Sequence, residues 1–259
     1  MFRVHFFEEF PTEETLRPAA RMNRGTVYLA AHSFDEFLQK QLLLQTINPK
    51  LEAAYWPLLR DSYWFSPYSN PLELVSFYRS LCLRGEQASP LQVLLDLELP
   101  LLKRRLFREN RRYRQVNRQL LERIFEEAPR YRLTIHTAEY PCFGKLSQQL
   151  FEYLGVSYPI ERFSHRKIMM WYSSMIPLRL RAFARSGLRW SFERYQDHLL
   201  VGIGTISNGI FGHEPILPPS QMREDLLFLR HLGVQEIVIF RLGGMTEPYW
   251  DVLEEFSNR

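Results

Sequence analysis

Short apolar runs alternate with longer amphipathic segments along the whole chain. Eight runs have the length and composition of strands, and a segment with helical spacing of its apolar positions follows each of them. Strands that alternate with helices pair in parallel and are joined by right-handed crossovers. The predicted strands cover residues 3–7, 26–31, 51–56, 91–98, 131–139, 167–173, 198–206 and 236–242.

Local signals mark the predicted helix boundaries. Ser33 and Glu36 form a capping-box pattern, which satisfies the free amides at the start of a helix. The apolar and basic spacing predicts one continuous helix over residues 102–127 and an Arg-rich helix that ends at Gly187. Gly233 ends a further helix, immediately before a run rich in Val and Ile.

Eight strand–helix units within 259 residues predict an α/β protein that closes into a (β/α)8 TIM barrel. This fold typically takes about 250 residues. A doubly wound open sheet is the alternative architecture. No linker, repeat or low-complexity stretch divides the chain, so we expect a single domain over residues 1–259.

The charge distribution argues against nucleic acid as a partner. The formal charge is only +4, whereas a nucleic-acid binder carries a clustered basic patch. The one cluster lies on the predicted basic helix, at residues 103–118. Two interpretations of this cluster remain open. It contacts an anionic surface, or it is a solvent-exposed helix face whose charge is balanced by nearby acids.

Cysteine use and hydropathy predict a cytoplasmic protein. Cys82 and Cys142 form no CxxC pair, which is typical of reduced thiols in the cytosol. The sequence shows no secretory signal pattern and no run of 18 apolar residues, so we expect no transmembrane segment.

Acidic and aromatic residues crowd the predicted carboxyl ends of the strands, where TIM barrels build their active sites. The side chains expected there bind substrate or act on it. They are Glu9 after the first strand, Trp56 at the third, Asp96 and Glu98 at the fourth, His136 and Glu139 at the fifth, Trp171 and Tyr172 at the sixth, and Arg241, Gly243 and Gly244 at the eighth.

The stretch "LLDLELP" places Asp96 and Glu98 on one face of a buried strand, because side chains alternate between faces. Two neighbouring buried carboxyl groups push their pKa values apart, so that one stays protonated near neutral pH. This arrangement suits a general acid held by a carboxylate neighbour. An ion-pair network with arginines such as Arg241 is the structural alternative.

A divalent metal site that includes Glu9 or Glu139 is a third possibility for these acids, since Mg²⁺ and Mn²⁺ prefer carboxylate oxygens. No His/Asp spacing specific for a metal accompanies them, and we predict neither a metal nor another cofactor.

The segment "DLELP" resembles the end of the fourth strand of family-18 chitinases, which are (β/α)8 barrels that cleave N-acetylglucosamine polymers. The resemblance implies that Glu98 is the general acid and that Asp96 orients the acetamido group of the substrate, which is the nucleophile. "IMMWYSSM" is similar to the sixth strand of that family, and Tyr172 would be its phenol.

The chain departs from the family pattern at two places. Leu91 and Leu94 stand where the family has two further aspartates, and Arg241 stands near the position of its eighth-strand Trp. The segments "FFEEFP", "YWP" and "FRLGG" resemble a group of bacterial and archaeal barrels without an assigned activity.

Two further segments suggest binding functions. The aromatic segment 55–68, which contains Trp56 and Trp64, is either a stacking platform for a sugar or base, or a loop anchored over the barrel by its own rings. Arg241 with Gly243 and Gly244 could hold a phosphate, as loops at this end of many barrels do, or the glycines simply make tight turns.

Three hypotheses follow. The first is a hydrolase that acts on a glycan or glycoconjugate, with Glu98 as acid, Asp96 tuning it, and Glu139 or Glu9 as a second carboxylate. The second is an enzyme that acts on a phosphorylated metabolite. The third is a non-catalytic barrel that binds a ligand.

Overall fold

The computed structural model describes residues 1–85, 90–100, 104–210 and 212–257. Its eight strands close into a parallel barrel in the order in which they follow one another along the chain. The (β/α)8 prediction is confirmed, and the open sheet is excluded. The strands are β1 Arg3–Glu8, β2 Thr26–Ala31, β3 Glu52–Pro57, β4 Leu91–Asp96, β5 Leu133–Glu139, β6 Arg166–Trp171, β7 Leu199–Ile203 and β8 Glu236–Phe240.

Helices connect successive strands and cover the outside of the barrel. Short 3-10 turns also occur in these connections. None of the helices that the structure describes has the length and apolar character that a membrane crossing requires. The α-helices are α1 Glu13–Leu16, α2 Phe34–Ile47, α3 Pro71–Gly85, α4 Arg104–Glu109, α5 Arg114–Glu127, α6 Lys145–Leu154, α7 Leu178–Tyr195, α8 Pro219–Leu232 and α9 Glu247–Glu254.

The apolar core has two layers, because successive side chains of a strand point to opposite faces. One layer fills the inside of the barrel, and the other lies between the strands and the helices. On β4, Leu94 belongs to the inner layer and Leu95 to the outer one. The inner layer includes Phe7, Tyr28, Ala54, Trp56, Leu94, Ala138, Ile168, Leu200, Val238 and Phe240.

The predicted fourth strand is two residues too long, although its alternation of faces is correct. β4 ends at Asp96, and Leu97 then donates its backbone N–H to the carbonyl of Ala138 at 2.9 Å. Leu97 is buried in the outer layer, whereas Asp96 and Glu98 line a cavity at the top of the barrel. The alternation therefore continues past the last residue of the strand.

The prediction of one continuous basic helix is wrong. A 3-10 turn at Asn110–Tyr113 separates α4 from α5. The buried Asn110 side chain donates to the backbone carbonyl of Tyr68 at 3.0 Å, so this turn is fixed by a contact distant in the sequence.

Basic side chains of this region pair locally. Arg105 contacts Glu109 at 2.6 Å, and Arg118 contacts Glu122 at 3.0 Å. Lys103, the first residue of the predicted cluster, lies outside the described residues. Contact of this region with an anionic surface stays a prediction.

Gly187 does not end the Arg-rich helix, because α7 continues through it to Tyr195. A Cβ atom at this position would lie 2.5 Å from the ring of Phe143 and 2.9 Å from the carbonyl oxygen of Cys142. The glycine thus lets the β5–α6 loop approach α7 closely, which positions Phe143 at the top of the barrel.

Candidate active site

A cavity of about 760 Å³ opens at the carboxyl ends of the strands. Its volume lies within the range of ligand pockets, about 300–1,000 Å³. Apolar side chains form most of its surface, and Glu9, Asp96, Glu98 and Glu214 bring four carboxyl groups to it. A cavity at this end of the barrel, with few polar groups, is the expected location of an active site.

Asp96 and Glu98 meet in this cavity, as the alternation of β4 predicted. Burial raises the pKa of Glu98 to about 7, even though a hydrogen bond from the Tyr140 hydroxyl at 2.9 Å favours its ionised form. Burial, and then the charges of Glu98 and Glu9, hold the pKa of Asp96 well above its usual value. The pair therefore retains a proton near neutral pH.

Glu9 adds a third acid from the end of β1. Burial raises its pKa to about 7, against the effect of a hydrogen bond donated by the Tyr63 hydroxyl. A Cβ atom at Gly209 would lie 2.9 Å from Glu9 Oε2 and 3.0 Å from Glu214 Oε1. Gly209 therefore allows the loop after β7 to bring Glu214 next to Glu9.

Two carboxylate oxygens of the cavity remain open to a ligand. Asp96 Oδ1 and Glu9 Oε2 are buried, and neither accepts a hydrogen bond of normal geometry in the described part of the chain, although the nearby indole of Trp56 lowers the pKa of Asp96 against the effect of burial. A buried polar atom of this kind is costly unless something satisfies it. A substrate hydroxyl or amide in the cavity would do so.

Aromatic rings line the cavity beside the acids. Phe7 and Trp56 lie 5.5 Å apart between ring centroids, and Tyr172 and Phe240 lie 5.9 Å apart. Of the aromatic segment, Trp56, Tyr63 and Trp64 line the cavity, whereas Tyr68 stacks on Phe107 outside it. The segment thus serves both as a cavity wall and as a self-anchored loop.

Glu139 lies on the opposite face of β5 from the cavity. Its carboxylate accepts two hydrogen bonds from the buried Lys167 ammonium, at 2.7 and 2.9 Å, and one from Ser157 at 2.7 Å. Burial alone would raise the pKa of Glu139, but Lys167 and then His165 lower it to about 2. The structure therefore does not bring Glu139 together with Glu98.

Trp171 and His136 also lie away from the cavity. Trp171 is buried in the outer layer, with its ring centroid 6.1 Å from that of Phe228. His136 faces the inside of the barrel below the cavity, where its Nδ1 lies 2.6 Å from the Tyr28 hydroxyl. Burial lowers the pKa of His136 to about 3 and keeps its ring neutral.

The proposed phosphate site is filled by a side chain of the protein itself. Arg241 donates to Glu8 Oε1 at 2.9 Å, and the backbone N–H of Gly243 donates to Glu8 Oε2 at 2.7 Å. A Cβ atom at Gly244 would lie 2.5 Å from Ser207. Arg241 therefore pairs with Glu8 rather than with Asp96 or Glu98, and the glycines allow close packing.

Tyr63, Tyr140 and Glu214 also line the cavity, although they are not among the site residues predicted from the sequence. A signal for Tyr140 was present, because it lies two residues after Ala138 and so shares the inward face of β5. Tyr63 and Glu214 come from loops, whose course no strand alternation predicts. Within the described ranges, no group of three His, Cys, Asp or Glu side chains could hold a metal ion.

Comparison with solved structures gives matches over the whole chain at low sequence identity. No protein-family model and no curated protein matches. The chain is similar to a chitinase from Chromobacterium violaceum, with 11% identity, a TM-score of 0.60 and coverage of 100% of both chains. The likeness is one of fold.

Two other solved structures share this architecture. The PgaB (BpsB) glycoside hydrolase domain from Bordetella bronchiseptica has 10% identity and a TM-score of 0.61, over 100% of this chain and 99% of that one. The spore cortex-lytic enzyme SleL from Bacillus cereus has 10% identity and a TM-score of 0.63, over 99% of this chain and 75% of that one. These likenesses show the (β/α)8 fold of the chain.

Proposed function

We propose that the protein is a glycoside hydrolase that cleaves a glycan or glycoconjugate in the cavity described above. The proposal depends on one observation: Asp96 and Glu98 share the inward face at the end of β4, with raised pKa values, inside a cavity lined by aromatic rings. A protonated carboxyl group beside a second acid is what protonation of a glycosidic oxygen requires.

Glu98 is the general acid of the proposed reaction. Its protonated carboxyl group donates to the oxygen of the leaving group as the glycosidic bond breaks. The Tyr140 hydroxyl orients the Glu98 carboxyl group through its hydrogen bond. Glu98 then takes a proton from the water that completes the hydrolysis.

Asp96 and Tyr172 hold the reacting sugar in the proposed reaction. Both line the cavity, and the raised pKa of Tyr172 results from burial and then from the charges of Asp96 and Glu98. By the resemblance to family-18 chitinases, a 2-acetamido group of the sugar attacks its own anomeric carbon, while Asp96 holds its amide. Tyr172 stays protonated and donates to that group.

Glu9 is the second carboxyl group if the sugar has no acetamido group. It lies in the same cavity and keeps an open oxygen, Oε2, whereas Glu139 is held by Lys167 outside it. Glycosidases commonly use two carboxyl groups on either side of the scissile bond. The proposal therefore assigns this role to Glu9 and leaves Glu139 out of the chemistry.

Hydrolysis of a panel of glycosides by the native protein and by Glu98→Gln tests the proposal. We expect the variant to lose about 10²- to 10⁴-fold in kcat/KM, the usual contribution of a general acid, with its fold unchanged by circular dichroism. Glu224→Gln, which removes an exposed acid on α8, is the matched control and should keep full activity. Undiminished cleavage by Glu98→Gln would refute the proposal.

A further inference from the structure

The cavity extends from the acids into a region whose lining has almost no polar side chains. Among the described lining residues between positions 141 and 184, only Tyr172 carries a polar group. We name this region the apolar arm. Segments that follow β4, β5 and β6 form it, and its walls include Leu99, Phe143, Phe151, Met175, Leu180 and Phe183.

The mouth of the apolar arm is unusually exposed for apolar side chains. The exposed fraction is 41% for Phe143, 47% for Leu180 and 58% for Phe183. In the part of the chain that the structure describes, four exposed large apolar residues line the arm, namely Phe143, Met175, Leu180 and Phe183. A concentrated apolar patch that continues into a pocket marks a binding surface.

The arm is already formed and begins beside the catalytic acid. Phe143 and Phe183 stack with their ring centroids 5.0 Å apart and an interplanar angle of 14°. Phe151 lies 5.9 Å from the ring of Tyr140, whose hydroxyl donates to Glu98. A leaving group that departs with the protonated glycosidic oxygen on this side of Glu98 therefore lies directly at the arm.

The chemistry of the arm favours a hydrocarbon chain over further sugar rings. Each sugar hydroxyl needs a hydrogen-bond partner, and a hydroxyl buried without one is costly. The apolar arm offers almost no such partners, whereas a chain of methylene groups needs none. The cavity volume of about 760 Å³ equals about 25 water molecules at ~30 Å³ each, which is room for a sugar ring and a chain together.

We propose that the substrate is an amphiphilic glycoconjugate, with its sugar at Asp96 and Glu98 and a hydrocarbon chain in the apolar arm. This inference rests on the proposed glycoside hydrolase function and specifies the substrate class. The chain belongs to the leaving group or to a substituent close to the scissile bond.

Binding of alkyl thioglycosides, which resist hydrolysis, tests the inference on the native protein. The probes are methyl, hexyl and octyl 1-thio-glycosides of N-acetylglucosamine, used below their micellar concentrations in isothermal titration calorimetry. Full burial of a methylene group corresponds to about fourfold in affinity. Allowing for partial burial, we expect the octyl compound to bind at least about 50-fold more tightly than the methyl compound.

Leu180→Asp and Met175→Asp place a charge at the exposed mouth of the arm. Each should lower the octyl-to-methyl affinity ratio at least about tenfold, because a chain cannot pass a hydrated carboxylate without desolvating it. Leu42→Asp is the matched control, since Leu42 is 65% exposed on α2 and does not line the cavity. It should leave the ratio unchanged.

Two results would overturn the inference. One is an affinity that does not depend on chain length. The other is an affinity that rises with the number of sugar rings in chitooligosaccharides and not with the chain, since this would place sugars in the arm. The thioglycoside probes are not cleaved, so their binding affinities do not depend on whether the protein hydrolyses glycosides. The binding test and the hydrolysis test with Glu98→Gln can therefore fail independently. Chain-dependent binding without hydrolysis would refute only the proposed function.

Discussion

Glu98 acquires its proposed role from its surroundings rather than from its residue type. In water its carboxyl group would be ionised at neutral pH, whereas burial beside Asp96 raises its pKa to about 7. Glu139 directly follows the inward-facing Ala138 and so lies on the outward face of β5, where it is also buried but carries a paired negative charge. Similar acids thus have opposite protonation states because their neighbours differ.

Tyr140→Phe should shift the pH profile of hydrolysis. The Tyr140 hydroxyl stabilises the ionised form of Glu98, so its loss raises the pKa of Glu98 further. Activity requires the protonated acid, and it therefore falls as the pH rises through that pKa. We expect the alkaline limb of kcat/KM to move from about 7 to a higher pH. An unchanged limb in Tyr140→Phe would contradict the role of this hydrogen bond.

Lys167→Met should destabilise the fold strongly, because it leaves the Glu139 carboxylate buried without its cation. Removal of one partner of such a pair costs about 3–5 kcal/mol in the free energy of unfolding. The double variant Lys167→Met/Glu139→Leu should recover most of this loss in urea unfolding and should still hydrolyse substrate. A folded but inactive double variant would instead give Glu139 a catalytic role.

At the scale of elements, the barrel strands place the acids and the loops complete the cavity. β4 delivers Asp96, while the loops after β3 and β7 deliver Tyr63 and Glu214. The β5–α6 loop delivers Phe143, and its position depends on the close approach that Gly187 on α7 permits.

Gly187→Val should disturb this contact. Its Cβ atom would lie 2.5 Å from the ring of Phe143 and 2.9 Å from a backbone oxygen, so the loop must move away from α7. We expect a loss of about 1–3 kcal/mol in the free energy of unfolding and weaker binding of octyl thioglycoside. Ala182→Val, at an exposed position of α7, is the matched control and should change neither quantity appreciably.

At the scale of the molecule, the buried acids of the barrel fall into two groups, one with lowered and one with raised pKa values. At the amino end of the strands, hydrogen bonds from His5 and Arg166 lower the pKa of Glu236 to about 2. At the carboxyl end, burial raises the pKa of Glu9 and of Glu98 to about 7. Acids with a cation partner thus stabilise the fold in their ionised form, whereas the cavity acids are the candidates for proton transfer.

Stability should therefore be greatest near pH 5. Glu236 and Glu139 stabilise the fold above the pKa of an unfolded Glu, about 4.3, and this contribution is lost as the pH falls toward about 2. The contribution of Glu9 and Glu98 is complete below about 4.3 and is lost as the pH rises through about 7.

Urea midpoints at pH 3, 5 and 8 measure this dependence. We expect the midpoint at pH 5 to exceed both others. Glu98→Gln should reduce the loss in the free energy of unfolding between pH 5 and 8 by roughly 2–3 kcal/mol, because the pKa of Glu98 is about 7 in the fold and about 4.3 in the unfolded chain. A midpoint of the native protein that rises steadily to pH 8 would contradict the raised pKa values of the cavity acids.

The sequence by itself determined the order of elements and the closed barrel, because hydrophobic periodicity and helix caps are local properties. It also determined that Asp96 and Glu98 share a face, since alternation along a strand needs no knowledge of its neighbours. Applied to every strand, the same rule would have set Glu139, Trp171 and Arg241 on the outward face.

Only the tertiary structure decided which charges are paired and which loops meet. Arg241 forms an ion pair with Glu8, and Lys167 forms one with Glu139. Both pairs join residues that are distant in the sequence. Tyr63 and Glu214 come from loops, and the apolar arm depends on the close approach of the β5–α6 loop to α7. Pairing and burial depend on distances in space, and these arise only when the barrel closes.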